Sequence, residues 1–180
     1  MIKQLLCFGL LFFSFTIEAQ SSMGERRVTL DKQFSIDVLN AYQENSKSKI
    51  EDLFSYFQML TDVNLDNQLK SQIAKNIYSL YKNENELVID FTSNNFEKIP
   101  LKQFIQKLSN SHSIFFKVSD EAQYNSVAYN FWKTNYTISI TKAGTTARQK
   151  VIQKVYFDEK NKNFGSNNKF VYETHLGEME

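Results

Sequence analysis

Asp90 stands in the stretch Val88-Ile89-Asp90-Phe91-Thr92, a carboxylate with apolar neighbours on both sides. A carboxyl group enclosed by apolar side chains loses hydration of its charged form, so its pKa rises toward the range of a general base. On a wet strand face the same residue is an ordinary solvated carboxylate. Strand alternation puts Asp90 with Val88 and Thr92, opposite Leu87, Ile89 and Phe91. The histidines are His112 and His175. His112 follows a predicted helix, where its cation interacts favourably with the helix C-terminus. His175 shares a strand parity with Glu173, but two ligands on one strand make a weak site and no third is evident, so no metal is expected.

Other catalytic constellations are missing from the sequence. It contains no Gly-x-Ser-x-Gly elbow, no His-Glu-x-x-His, no phosphate-binding loop and no dinucleotide glycine pattern. With five glycines in the whole chain, tight phosphate cradles are not expected, and neither is a cofactor. Seven Lys/Arg and two acidic residues lie in 142–169, which reads as a solvated face in preference to a footprint for an anionic polymer. The net charge of +1 sets up no global field for nucleic acid. Asn135-Tyr136-Thr137 spells a glycosylation sequon inside a predicted strand and is read as coincidence.

Aromatic residues carry the strongest functional signal. Trp132, Thr134, Tyr136, Ile138 and Ile140 fall on one parity; Lys133, Asn135, Thr137, Ser139 and Thr141 fall on the other. Such alternation describes a strand with one buried and one wet face. The Trp132/Tyr136 face is expected to be mainly core or cone lining, with a ligand platform as the rival reading. Phe115 and Phe116 are adjacent and must point to opposite faces, and Tyr156 lies opposite Val155 and Phe157. The sheet is thus apolar in places on both faces, and an uncovered aromatic patch marks an interaction site. Trp132, Tyr136, Phe116 and Tyr156 are the candidate binding residues.

The elements that must position these groups follow from periodicity and punctuation. Residues 1–19 read as a secretory signal peptide: Lys3, then an apolar run over Leu5–Ile17 too short to span a membrane, then Ala19 as the cleavage site. Cys7 lies inside that run, so lipidation is not expected; it is also the single cysteine, so neither are disulfides. The mature chain is expected in the periplasm or outside the cell, with no membrane span. Residues 20–45 are poorly defined, with a weak helical preference over Phe34–Tyr42. Ser48 and Glu51 form a capping box, placing a helix start there, followed by the stripe Ile50, Leu53, Phe54, Phe57, Leu60. Leu69, Ile73, Ile77, Leu80 and Tyr81 give a second helix. Residues 86–93 read as a strand, Pro100 opens a third helix through Leu108, and four strands follow, with a turn at Lys142–Ala147 and a polar hairpin tip at 158–169.

Helices early and strands late define an α+β domain over 46–180: three helices packed on a curved, mostly antiparallel, cone-like sheet of four to six strands. The order of "IEDLFSYFQML", "LKSQIAKNIYSLY", "LVIDFTS", "IPLKQFIQKLSN" and the strand meander resembles the nuclear transport factor 2-like superfamily, including its SnoaL-like members. The resemblance covers roughly residues 46 to 176 and implies a cone of helices over a bent sheet. Enzymes of that superfamily place an Asp or His inside the cone, and Asp90 is the residue here that fits such a place. Many members carry a pocket without activity, so fold analogy does not choose the function. The expected function is an exported, non-enzymatic domain that binds a partner protein or a small apolar ligand, with a homodimer through the sheet as one form of partnership. The alternative is a small cofactor-free enzyme using Asp90.

Overall fold

The computed structural model describes residues 28–119, 123–125, 127–165 and 167–180. The signal peptide and its cleavage site lie outside the described residues.

Ser35, not Ser48, starts the long helix. A short turn, α1 (Leu30–Gln33), leads to α2 (Ile36–Leu60), which runs 25 residues unbroken. The Ser35 side chain accepts a hydrogen bond from the Val38 N–H, satisfying one of the helix's orphan donors. Ser48 sits mid-helix, its hydroxyl turned back on the Glu44 carbonyl. The expected capping box is corrected on this point, because 36–45 continue the helix, in line with the helical preference expected over Phe34–Tyr42; residues 20–27 of the segment expected to be poorly defined lie outside the described residues. Leu39, Ile50, Leu53, Phe54, Phe57 and Leu60 face inward along it, which no break at Ser48 would permit. Asp66 caps α3 (Asn67–Leu80), accepting from the Leu69 N–H at 2.8 Å. Leu69 itself points to solvent, unlike Ile73 and Ile77.

The predicted strand over 86–93 shrinks to β1 (Leu87–Ile89), which pairs with β2 (Lys98–Pro100) in a separate two-stranded sheet. Pro100 then caps α4 (Leu101–Ser109). The main sheet is antiparallel, in the order β3 (Ile114–Val118), β5 (Phe131–Lys142), β6 (Thr145–Phe164), β7 (Asn167–Met179). A short β4 (Gln123–Asn125) pairs β5 beyond the end of β3. The sheet curls into a half-barrel with the helices against it, the α+β cone expected from the sequence.

Turn chemistry sets the register. Lys142 pairs Thr145 across a two-residue turn in which Ala143 and Gly144 have φ of 45° and 81°. Two positive φ values match the right-handed strand twist, and Gly144 supplies one at no steric cost. A bulge between Gln153 and Val155 bends β6 against β7. Gly177 lies there, and a Cβ on it would stand 2.5 Å from the Tyr156 ring. The polar hairpin tip expected at 158–169 is the end of the β6–β7 hairpin, a two-stranded ribbon paired from Asp158↔Glu173 to Phe164↔Asn167. Residues 159–165 and 167–170 are exposed, so the ribbon projects from the body.

Both edges of the curled sheet are met by the helical layer. The Phe116 N–H on β3 donates to Gln58 Oε1 at 3.3 Å, and Thr61 Oγ1 accepts from the Ile114 N–H at 3.1 Å. On β7, the Thr174 and Leu176 carbonyls accept from Lys49 Nζ at 2.5 Å and the Lys82 N–H at 2.9 Å. Capped edges resist strand addition, and the caps stop at Thr174, so the ribbon edge beyond it has none of them.

Trp132, Thr134, Tyr136, Ile138 and Ile140 all lie buried under the helices. This is the core reading of the alternating strand. Trp132 is fully buried and is the single tryptophan. Its emission is therefore expected to be blue-shifted and resistant to acrylamide. Emission near that of free tryptophan, freely quenched in the folded protein, would contradict this placement.

Candidate functional site

Asp90 is buried, at 1 % exposure, but not in an apolar pocket. Its Oδ1 accepts from the Thr92 N–H at 2.9 Å and the Thr92 hydroxyl at 2.5 Å, and its Oδ2 meets Lys107 Nζ at 2.6 Å. Burial pushes the carboxyl up, but the Lys107 ammonium and the two Thr92 donors outweigh it and hold the pKa below its ordinary value. The upward shift expected from the apolar flanks is corrected: β1 ends at Ile89, and the chain turns so that α4 presents Lys107. Both oxygens are committed, and the group ties the loop after β1 to the last turn of α4. Neither groove described below is lined by Asp90.

The aromatic candidates separate by face. Trp132 and Tyr136 are buried, and Phe116 points inward against Phe54, Phe57 and Phe91 at centroid distances of 5.8, 6.2 and 5.9 Å. The core reading of Trp132 and Tyr136 stands, and the rival reading of the aromatic candidates Trp132, Tyr136 and Phe116 as a surface ligand platform is corrected. They fill the cone, because helices α2 and α4 bring Phe54, Phe57 and Phe104 into the space a ligand would need. A polar seam runs through this interior. The Tyr136 hydroxyl donates to Gln153 Oε1 at 3.1 Å, and Gln153 Nε2 donates to the Gly177 carbonyl at 2.7 Å. The Tyr81 hydroxyl, Trp132 Nε1 and Thr134 Oγ1 are buried there with no hydrogen-bond partner. Burial pushes the Tyr81 and Tyr136 phenols up, so both stay neutral.

Tyr156 lies on the outer face. Lys82 Nζ and Lys154 Nζ stand 4.4 and 4.8 Å from its ring centre, two cations over a partly covered ring. His112 is exposed after α4.

His175 and Glu173 line a groove between α2 and the edge of β7. It has a volume near 550 Å³ and is lined by Tyr42, Asn45, Lys49, Tyr172, Glu173 and His175, with Ala41, Ser79 and Thr174. That size suits a small ligand. Tyr42, Asn45 and Lys49 fall on one helical face by their spacing, and the pairing of β7 with β6 delivers Tyr172 to Phe157, rings stacked 4.9 Å apart. Burial lowers the Lys49 pKa, partly offset by Glu173. Burial and the Lys49 charge lower that of His175, against the pull of Asp158 and Glu173. His175 Nδ1 is buried without a hydrogen bond, 3.8 Å from Asp158 Oδ2. Lys162 and Lys160 hold the Glu173 carboxyl down at about 2. Glu173 is therefore occupied by the ribbon's lysines, and among the described residues no group of three or more His, Cys, Asp or Glu stands together as a metal site. A second groove, near 290 Å³, lies where β3 meets the end of α2, lined by Gln58, Met59, Thr61, Asp62, Ser113, Ile114 and Phe115.

Sequence reasoning missed Lys49, Asn45, Tyr42 and Tyr172. The available signal was Lys49 beside Ile50 on the long helix, a cation where a continuous α2 turns toward the sheet. Reading a helix start at Ser48 concealed that face. Comparison with family models, with curated proteins and with solved structures finds no match. Among the described residues no helix is long and apolar enough to cross a membrane.

Proposed function

We propose that this chain is an exported binding domain without catalysis of its own, and that the groove between α2 and β7 holds a small ligand. The observation that carries this is a groove lined jointly by Lys49, Asn45 and His175 with Tyr42 and Tyr172, in which His175 Nδ1 makes no hydrogen bond. Aromatic walls suit an apolar ring, and a half-buried ammonium suits an acceptor at its end. The ligand class is thus an apolar body bearing a carboxylate or carbonyl. The enzyme reading through Asp90 gains no support from a carboxylate that is already ion-paired and lies away from this groove. The resemblance to nuclear transport factor 2-like domains, with their pocket-bearing members, fits the reading without choosing the ligand.

Protein-observed NMR with benzoate and cyclohexanecarboxylate as probes tests it. Shift changes are expected to cluster at Tyr42, Lys49, Tyr172 and His175 and to disappear in Lys49→Met. Changes centred elsewhere, or none at millimolar probe, would remove the groove as the binding site.

A second reading, a protein partner, draws support from the ribbon, where Phe164 and Phe170 are 55 % and 69 % exposed on a projecting pair of strands. A second copy of the chain joined through this ribbon is one form of it. Sedimentation equilibrium of the wild type and Phe170→Ser decides whether the ribbon self-associates.

A further inference from the structure

We propose that the outer face of the β3–β5–β6 sheet is a binding surface for an acidic polysaccharide. This inference is independent of the α2–β7 groove, and it replaces the solvated-face reading of the basic residues in 142–169. It starts from an asymmetry in the chain: no Asp or Glu occurs between Glu121 and Asp158, whereas Lys133, Lys142, Arg148, Lys150 and Lys154 do. Residues paired directly across antiparallel strands share a face. Lys117 pairs Ser139, and Ser139 pairs Arg148; Thr137 pairs Lys150, and Lys133 pairs Lys154. All of these therefore lie on one side of the sheet, opposite the buried Trp132 parity. Arg148, Lys150 and Lys154 follow one another at every second residue or every second such step along β6, roughly 7 Å per two residues. Lys117 stands two strands away, roughly 10 Å.

Lys117, Arg148, Lys150 and Lys154 make no ion pair with a described residue, though Lys154 lies within electrostatic reach of Glu86 and Glu180. Lys133 is paired with Glu180 at 2.8 Å. Lys154 rests over the Phe131 and Tyr156 rings. Lys142 belongs to the opposite parity and is not part of the face. Like charges gathered in excess of their counter-charges attract an anion of matching extent. Between Lys117 and the β6 cations runs a row of neutral polar side chains, Asn135, Thr137, Ser139 and Thr141 on β5. These can hydrogen-bond sugar hydroxyls, which a bare phosphate surface does not offer. Phe115, 57 % exposed, stands beside Thr141 and gives a sugar ring an apolar face. A membrane-docking face carries a broad apolar band, and a single-strand nucleic-acid platform carries successive stacking aromatics; here Phe115 and Ile152 stand apart among charges, and the Phe131 and Tyr156 rings meet edge-on under Lys154 at the far end of the face. The matching ligand is a uronate-bearing or sulfated polysaccharide.

Affinity electrophoresis and titration at roughly 50 mM salt, where screening is modest, test this with a polygalacturonate oligomer. Phosphatidylglycerol vesicles and oligodeoxythymidylate serve as competing anions. The wild type is expected to bind the polygalacturonate, and R148E with K150E to bind roughly tenfold or more weakly. K75E with K102E reverses the same charge on the helices and is expected to bind like the wild type. Arg148→Gln with Lys150→Gln, which only neutralises, is expected to fall between and covers a folding failure of the reversal. No binding by the folded wild type overturns the proposal. So does equal weakening in the helix-face variant, or tighter binding to the vesicles or the oligonucleotide.

Discussion

Phe57→Ala is expected to destabilise the fold by about 3–5 kcal/mol. Phe57 is fully buried, and its ring meets Phe104 at 5.0 Å and Phe54 at 5.5 Å, both edge-on at 89°. Edge-to-face pairs of this kind add roughly 0.5–1.5 kcal/mol beyond the area they bury. Truncation loses both pairs and the transfer energy of the ring. It also leaves a cavity whose walls come from α2, α4 and β3, and elements fixed by their own hydrogen bonds collapse poorly into a void. A domain holds about 5–15 kcal/mol in total, so this single change takes a large share. Denaturant melts read the effect as a fall in midpoint at unchanged slope. A loss under about 1 kcal/mol would put Phe57 outside the core. Leu69→Ala provides the contrast: Leu69 is 50 % exposed and its loss is expected to stay within about 0.5 kcal/mol.

Asp90→Ala should cost about 3 kcal/mol at neutral pH, and less as the solution is acidified. The carboxylate accepts three hydrogen bonds, from the Thr92 N–H, the Thr92 hydroxyl and Lys107 Nζ. Bonds to a charged group are worth about 1.5–3 kcal/mol each, but they do not add independently. The Lys107 side chain is 43 % exposed, so water screens that pair and the Thr92 contacts dominate the loss. The pH sign follows from the direction of the shift. The folded pKa lies below the unfolded one, so the contribution is fully present above the unfolded value of about 3.9. It fades as pH falls through the folded value, where the native state must also take up the proton. Wild type and variant are therefore expected to converge below about pH 4. A gap between them that is unchanged from pH 7 to pH 3 would show that the charge contributes nothing. A gap that grows on acidification would show a raised pKa and return Asp90 to the role of a buried acid.

The fold was legible wherever a local period carried one buried face. The alternation from Trp132 to Ile140 specified both the strand and its buried side, since a slip of one residue would put four large side chains, Trp132, Tyr136, Ile138 and Ile140, in water. The stripes of α2, α3 and α4, the late strands and the α+β class followed from the same reasoning. Ser48 misled because Ser and Glu three residues apart satisfy a capping pattern locally. Only packing shows that Leu39 and Ile50 need one unbroken helix to reach the same core. The ribbon at 158–169 is polar on both faces, so hydrophobic period says nothing about it, and its pairing is inherited from the register of the body.

Side-chain charge state and convergence came from tertiary structure alone. The apolar flanks of Asp90 argue for a raised pKa, and they are in fact buried. The outcome is reversed by Lys107, 17 positions along the chain and brought up by α4. The groove joins Lys49 to His175 across α2 and an edge strand, residues 126 positions apart whose meeting no local pattern encodes. Period and punctuation report which face of an element is buried, because burial energy is set residue by residue along it. They do not report which face of another element lies opposite, and that pairing decides whether a carboxylate is a base or an anchor.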